Sequence, residues 1–485
     1  MYKKLFFLIL FLIYIGVFTY KIIKGKNTDK QKQQSPISSV TQKNTTLNKS
    51  NFPNSNLKTN QPTIPTNPVK PVKEIKYIIC DTRKIVKPLR NSLELINARL
   101  INFNINSQDW DLFLPCGYNY VETELDEIKN PYKHQKIFGI KGCDKIASKN
   151  QLWKIVSDYY GREKASKLLP ESFIINNSED IKLFKKKFNS NNIYYLKKNI
   201  QRKEGILITN KYQKILSYID KTKTDIKNYY TKSYHIYNNK HINQLNTVDF
   251  LNTNNNNNND LKEEENLNKN LNLNTLNNNF KLIQVGINDL YLVKNRKINL
   301  RLYYFIKCSN NIKEFYLYNF GKCIYTQKEF NNNQNNQNNQ NNQNNQKLNL
   351  DKEVHLTSHN LDNNIYNTYP ETLEQLSVYM NKRTKKSYQI LWNKIVKLFF
   401  EVSTAIKNHV CNSKILNKAT TFQLFGADII FNNSLDPYLL EFNKGPSMKF
   451  KTDLDEHLKI NLYKDIFSNV GLIQNNSSNN FIKLL

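Results

Sequence analysis

The chain has 485 residues, enough for two or three domains, and sets 71 Lys and Arg against 40 Asp and Glu for a formal net charge of +31. Such a surface favours polyanions, whether nucleic acid, anionic lipid or acidic protein segments, but its lysines are spread along the chain and single out none of them. The six cysteines, at 80, 116, 143, 308, 323 and 411, form no C-x-x-C pair or zinc spacing, so reduced, intracellular thiols are expected.

Leu5 to Tyr20 is a continuous apolar run bracketed by Lys3-Lys4 and by Lys21, Lys24 and Lys26. Counted through Ile23 it approaches the roughly 17 to 25 residues that span a bilayer. Residues 1–24 therefore read as a single-pass membrane anchor, with a cleaved signal peptide as the rival. Residues 25–74 are rich in Asn, Ser, Thr, Gln, Lys and Pro and read as a disordered linker.

Order resumes at Ile75. KYIICDT and DWDLFLPCGY are strand candidates, and Ile146, Leu152, Ile155 and Val156 are spaced for one helical face within 142–156. LLPESFII (168–175) is an extended run. IYYLKKNIQRKEGILI (193–208) reads as strand, lysine-bearing loop, strand, with Gly205 at the bend. From 219 to 279 Asn runs replace periodicity, and 331–346 is an Asn/Gln repeat; both read as disordered insertions. Between them, residues 280–308 are apolar at strand density. Lys297, Asn299 and Arg301 alternate there and share one face, which is either solvated or part of a site. HLTSH (355–359) follows, then a helical stretch from Tyr369 to about Cys411 and a last amphipathic helix in DLDEHLKINLYKDIF.

The stretch Phe425 to Met448 carries the sharpest signal. Asn432-Asn433-Ser434-Leu435-Asp436-Pro437 separates two β-rich runs and marks a hairpin. A turn centred between Ser434 and Leu435 sets Asp428 opposite Glu441 and Gly426 opposite Asn443, all on one face. Two carboxylates and an amide oxygen then form an all-oxygen site suited to Mg²⁺. The alternative is a pair of acidic residues facing water.

These pieces resemble the tubulin–tyrosine ligase and ligase-like family, whose fold belongs to the ATP-grasp superfamily. GADIIFNNSLDPYLLEFNKGPSM is similar to its strand-turn-strand ending in L-E-x-N-x-x-P-S, and KINLRLYYFIKC to its K-F-D-L-R-x-Y segment. HLTSH resembles its H-L-T-N and EGILI the end of its lysine loop, while GCDKIASKNQLWKI with LPESFII resembles its amino-terminal module. The resemblance implies an α/β (α+β) ATP-grasp fold. An N-terminal substrate-side module (75–182) would precede a central part with the lysine loop (183–218), a core (280–330) and a C-terminal part with the magnesium site (347–475).

By the same resemblance Lys149 and Lys197 contact ATP phosphates, and Gln284 and Val285 line the adenine. Lys297, Asn299 and Arg301 face the nucleotide, with His355, Thr357 and Ser358 beside it. Asp428, Glu441 and Asn443 hold Mg²⁺. Arg301, Lys197 and Glu441 carry the catalysis, Arg301 by stabilising charge on the transferred phosphoryl group. Lys197 is preferred to Lys198 because alternate residues share a strand face. Three positions depart from the family pattern: Asn299 replaces Asp, Ser358 replaces Asn, and Ile324 stands where an Arg is usual, with Lys322 as a substitute.

The implied activity is an ATP-dependent protein–amino-acid ligase, forming an amide bond through an acyl phosphate. Its cofactors are ATP and Mg²⁺. Its partners are a free amino acid (Tyr, Glu or Gly) and an acidic protein tail such as that of tubulin, with the catalytic domain on the cytosolic side of a membrane and no nucleic acid. The alternative is a membrane-tethered, non-catalytic tubulin- or nucleotide-binding protein that keeps the fold.

Overall fold

Among the described residues the longest strands are a pair of fourteen residues each, joined by Asn310-Asn311 with φ of 51° and 65°. Two consecutive asparagines in the left-handed region close a two-residue hairpin whose twist suits the flanking strands. The computed structural model describes residues 73–80, 85–117, 120–200, 205–225, 279–330, 349–358, 361, 363–474 and 479–485. The Leu5–Tyr20 run, the linker through residue 72, and most of both Asn-rich insertions lie outside these residues. Among the described residues no helix is long and apolar enough to cross a membrane.

The strands in chain order are β1 (Ile75–Ile79), β2 (Ala98–Leu100), β3 (Leu112–Leu114), β4 (Lys136–Phe138), β5 (Ser172–Ile174), β6 (Tyr194–Lys197) and β7 (Ile206–Thr209). They continue with β8 (Leu282–Val285), β9 (Leu292–Val293), β10 (Arg296–Ser309), β11 (Ile312–Tyr325), β12 (Thr420–Phe431), β13 (Pro437–Asn443) and β14 (Phe481–Lys483). The larger sheet runs β14-β11-β10-β12-β4-β3-β1-β2, with β13 paired to β12 and β9 to β10. The smaller runs β5-β8-β6-β7. Strands from 75–138 thus continue the sheet of the core, through the parallel pairing of β4 with the start of β12.

Alternation along β10 divides the larger sheet's two faces. Leu300, Leu302, Tyr304 and Ile306 pack in one core with Leu152 and Val156 of the Lys149–Tyr160 helix and Leu391, Leu398 and Val402 of the Ser387–Ile406 helix. Tyr303 and Phe305 pack on the other face with Leu462, Ile466 and Phe467 of the Asp453–Asn469 helix and Leu89 and Leu93 of the Lys87–Leu95 helix. The smaller sheet has its own core, in which Phe173, Tyr194 and Leu196 meet Phe184 and Ile215.

Most elements read from the pattern are present, with local differences. The helical run at 142–156 is two helices, Cys143–Ala147 and Lys149–Tyr160, separated at extended Ser148; Ile146, Leu152, Ile155 and Val156 are all buried. The helical stretch from 369 is also two helices, Leu373–Arg383 and Ser387–Ile406, with Lys386 left-handed between them. A helix over 212–225 continues past residue 219, burying Ile219 and Thr222. The expectation of reduced thiols is overturned for four cysteines. Cys80 is bonded to Cys116 and Cys308 to Cys411, at Cα separations of 5.3 and 6.3 Å. Sequence separations of 36 and 103 hide these pairs, which only the sheet brings together. Cys143 and Cys323 are free and buried.

Two glycines set up a test of the backbone. Gly142 (φ 87°) starts the turn into the Cys143–Ala147 helix, and a Cβ there would lie 2.1 Å from the His409 carbonyl oxygen. Gly471 (φ 75°) ends the Asp453–Asn469 helix with nothing within 4 Å. Gly471→Ala should cost about 1–2 kcal/mol of stability, the left-handed penalty alone. Gly142→Ala should cost at least about 1 kcal/mol more, from overpacking. Denaturant midpoints of the two variants check the order.

Candidate functional site

A cavity of about 600 Å³ lies between β10, β12 and β13 of the larger sheet and β6 and β8 of the smaller. Its lining includes Lys149, Lys197, Gln284, Val285, Lys297, Asn299, Arg301, His355, Thr357, Ser358, Asp428, Glu441 and Asn443. Every site residue singled out in the sequence is thus brought to one place.

The hairpin supplies the acidic end. Asp428 pairs with Glu441 and Gly426 with Asn443, as the sequence pattern requires. The turn differs, because Ile429 pairs with Leu439 and Phe431 with Pro437. The register therefore shifts by one between Asp428 and Ile429, and Leu440 is the extra residue of a β-bulge. The bulge sets Glu441 on the same face as Asp428 despite a turn centred on Ser434. The space above Gly426 is filled: a Cβ there would meet Pro446 at 3.0 Å and the Arg301 stem at 3.1 Å.

Both carboxylates are engaged by cations, with side chains 14 % and 21 % exposed for Asp428 and Glu441. Arg301, opposite Asp428 on β10, donates from Nε to Asp428 Oδ1 (2.6 Å) and from Nη2 to Oδ2 (3.1 Å). Lys149 Nζ lies 2.9 Å from Glu441 Oε2 and donates to the Ile200 carbonyl at 3.2 Å. Asn443 Nδ2 donates to Glu441 Oε1 at 3.2 Å. Burial pushes the Glu441 carboxyl up, but Lys149 and Lys197 outweigh it and hold the group at about 2. Burial raises the Asp428 carboxyl against the pull of Arg301.

The cationic wall is more deeply buried. Lys297, Asn299 and Arg301 are 6–8 % exposed, so the solvated-face alternative for this strand is excluded. Lys297 Nζ donates to the His355 carbonyl at 2.8 Å and lies 5.5 Å above the Tyr195 ring. Desolvation, with Lys197 nearby, lowers its ammonium to about 7. Lys197 is lowered to about 8, again chiefly by burial, which Glu441 offsets in part. Lys198 points elsewhere, its Nζ over the Phe280 ring at 5.6 Å. Among the described lining residues four Lys and Arg side chains face two carboxylates. An incoming anion would relieve that excess.

The remaining residues are held by identifiable contacts. Asn299 Nδ2 donates to Thr357 Oγ1 at 3.1 Å, while its buried Oδ1 has no hydrogen-bond partner. His355 Nε2 donates to the Asn349 carbonyl at 2.6 Å, which leaves Nδ1 to accept from the Tyr195 hydroxyl at 3.1 Å; burial lowers its pKa and keeps the ring neutral. Ser358 N donates to the Tyr325 carbonyl. Gln284 turns its amide towards Ser172 Oγ at 3.3 Å.

Sequence reading missed most of the apolar part of the wall, Tyr195, Ile206, Ile430 and Leu440 among it. Tyr195 and Ile430 were within reach, two residues from Lys197 and Asp428 on the same strand faces. Leu440 was not, because it enters through the bulge. At the departures from the family pattern, Ile324 is buried opposite Asn299. Lys322, opposite Arg301, is committed to Glu371 (3.1 Å) and Asp455 (2.9 Å) and does not reach the cavity. The proposed substitution by Lys322 is therefore corrected.

The model of the tubulin-tyrosine ligase family matches residues 126–480. The chain belongs to that family. Members of the family generally use ATP and Mg²⁺, and the mixed α/β architecture is consistent with its fold. Among curated relatives, the Caenorhabditis elegans protein "Tubulin polyglutamylase ttll-5" is 25 % identical over 202 residues, 39 % of this chain and 26 % of that protein. The Mus musculus protein "Tubulin polyglutamylase TTLL6" is 24 % identical over 205 residues, 39 % and 23 % respectively. The Rattus norvegicus protein "Probable tubulin polyglutamylase TTLL9" is 24 % identical over 185 residues, 37 % and 36 %. The matched stretch thus spans about a third or less of each of these relatives.

The lysines predict a pH signature. At pH 8 Lys297 is mostly neutral and Lys197 about half protonated. A bound polyphosphate stabilises the charged forms, so binding should take up protons at pH 8 and affinity should fall as pH rises from about 7.5 to 9. Calorimetry of a nucleotide analogue in buffers of different ionisation enthalpy measures the uptake. It should shrink in Lys297→Met.

Proposed function

We propose that this protein is an ATP-dependent ligase that joins an amino acid to a carboxylate of an acidic protein tail, tubulin's by preference. One observation carries the reading. Four buried Lys and Arg side chains and an all-oxygen acidic end converge in a single cavity, in a chain of the tubulin-tyrosine ligase family. The names of the relatives favour glutamate over tyrosine or glycine as the amino acid.

The residues present fit a divalent cation. Asp428 and Glu441 offer carboxylate oxygens, Asn443 and the unpartnered Asn299 Oδ1 offer amide oxygens, and magnesium prefers oxygen donors. Asp428, Glu441 and Asn443 would hold the ion. When bound, it neutralises charge on phosphate oxygens. Lys149, Lys197 and Lys297 would bind the triphosphate, and Gln284 and Val285 would border the base. Arg301 is locked by Asp428 beside the acidic end, where it would stabilise charge on the phosphoryl group as it moves to the acceptor carboxylate. A carboxylate is a poor acyl donor, and phosphorylation gives it a leaving group that an amine can displace.

A second reading has an observation of its own. Ile324 places an apolar side chain where the family carries an arginine, and Lys322 is held away by Glu371 and Asp455. A protein that binds nucleotide and tail without turnover would fit that loss. ATP consumption that requires both tubulin and an amino acid separates the two readings. Glu441→Gln should lower it by about 100-fold or more, the scale of losing a group that acts in the transition state. Equal turnover in the variant, or nucleotide binding with no turnover in the wild type, would remove the ligase reading.

A further inference from the structure

The acidic end of the cavity is neutralised by the protein itself, in two different ways. Arg301 grips Asp428 through two parallel hydrogen bonds from the neighbouring strand, directly opposite in register. That bidentate contact is preorganised by the sheet. Lys149 holds Glu441 by a single contact of 2.9 Å, at the end of a flexible four-carbon stem. It is the first residue of the Lys149–Tyr160 helix, whose first turn contains no acidic residue. The helix dipole opposes a cation there. Glu441 and the Ile200 carbonyl are the partners that hold its charge in place. Of the two cations, Lys149 is the one built to leave.

We propose that Lys149 is an exchangeable counter-ion of Glu441, competing with a divalent cation for that carboxylate. While the ammonium sits on Glu441, a cation must displace it and binds weakly. When the ammonium moves to a phosphate, Glu441 is freed. Metal and polyphosphate then promote each other's binding through the position of one lysine. The inference rests on the nucleotide-and-metal reading above but concerns equilibrium binding only, so an inactive protein could still obey it.

The test measures Mn²⁺ binding to the full chain without nucleotide, from the electron paramagnetic resonance signal of free Mn²⁺. Removing one partner of a buried ion pair leaves the other uncompensated, which a metal can relieve. Lys149→Met should bind Mn²⁺ about tenfold more tightly than wild type, and Lys149→Arg, which restores the charge, should not. Lys149→Gln, which keeps a donor for Ile200, should behave as Met does and serves where the Met variant does not fold. Adding Glu441→Gln to Lys149→Met should abolish the gain. Unchanged or weaker Mn²⁺ binding in the Met and Gln variants would overturn the proposal, as would an equal gain in the Arg variant. Loss of tubulin-dependent turnover with the Mn²⁺ pattern intact would count against the ligase reading alone.

Discussion

Charge buried on one face of a sheet is the constraint on which the rest of this site depends. A carboxylate at the Asp428 position is tolerable only if a cation stands within hydrogen-bond reach. The register of β10 against β12 provides Arg301 directly opposite. Gly426 leaves room for the arginine stem, and the bulge at Leu440 turns Glu441 to the same face, where Lys149 meets it from a helix outside the sheet. Two adjacent ion pairs thus tie together β10 with β12 and β13 with the Lys149–Tyr160 helix. The same burial lowers the Lys197 and Lys297 ammonium groups to about 8 and about 7.

Much of this was legible in the sequence because β-strands have a period of two. Lys297, Asn299 and Arg301 had to share a face, and Lys197 rather than Lys198 had to join the face of Tyr195. The hairpin pattern placed Asp428 opposite Glu441, although by a turn centred half a residue away and without the bulge that makes it so. What could not be read was set by contacts distant in the chain. Alternation gave the composition of the Lys297–Arg301 face but not its burial, because the smaller sheet that covers it comes from other segments. The Asn310-Asn311 turn was a local signal passed over. The two disulfides had no local signal, since only the order of strands brings Cys308 to Cys411 and Cys80 to Cys116. Helix breaks at Ser148 and Lys386 fell inside continuous apolar periodicity, which does not register a single extended or left-handed residue.

The departures from the family pattern acquire physical content from their neighbours. Asn299 keeps a hydrogen bond to Thr357 but presents a neutral oxygen where a carboxylate is usual. Ile324 lies opposite it, so this strip of the sheet carries less charge than the pattern predicts. Lys322 belongs to a separate network with Glu371, Asp455 and Lys459 beneath the Asp453–Asn469 helix. Asn299 and Ser358 thus lie on the cavity wall, whereas Ile324 is buried away from it.

The proposed ligase activity stands or falls on whether the site accepts a carboxylate. Mass spectrometry of tubulin tails incubated with the protein, ATP, Mg²⁺ and mixed amino acids answers it. Tails that gain one or more residues of a single amino acid, glutamate by preference, are expected with the wild type and not with Glu441→Gln. Unmodified tails with a wild-type protein that binds ATP would contradict the ligase reading.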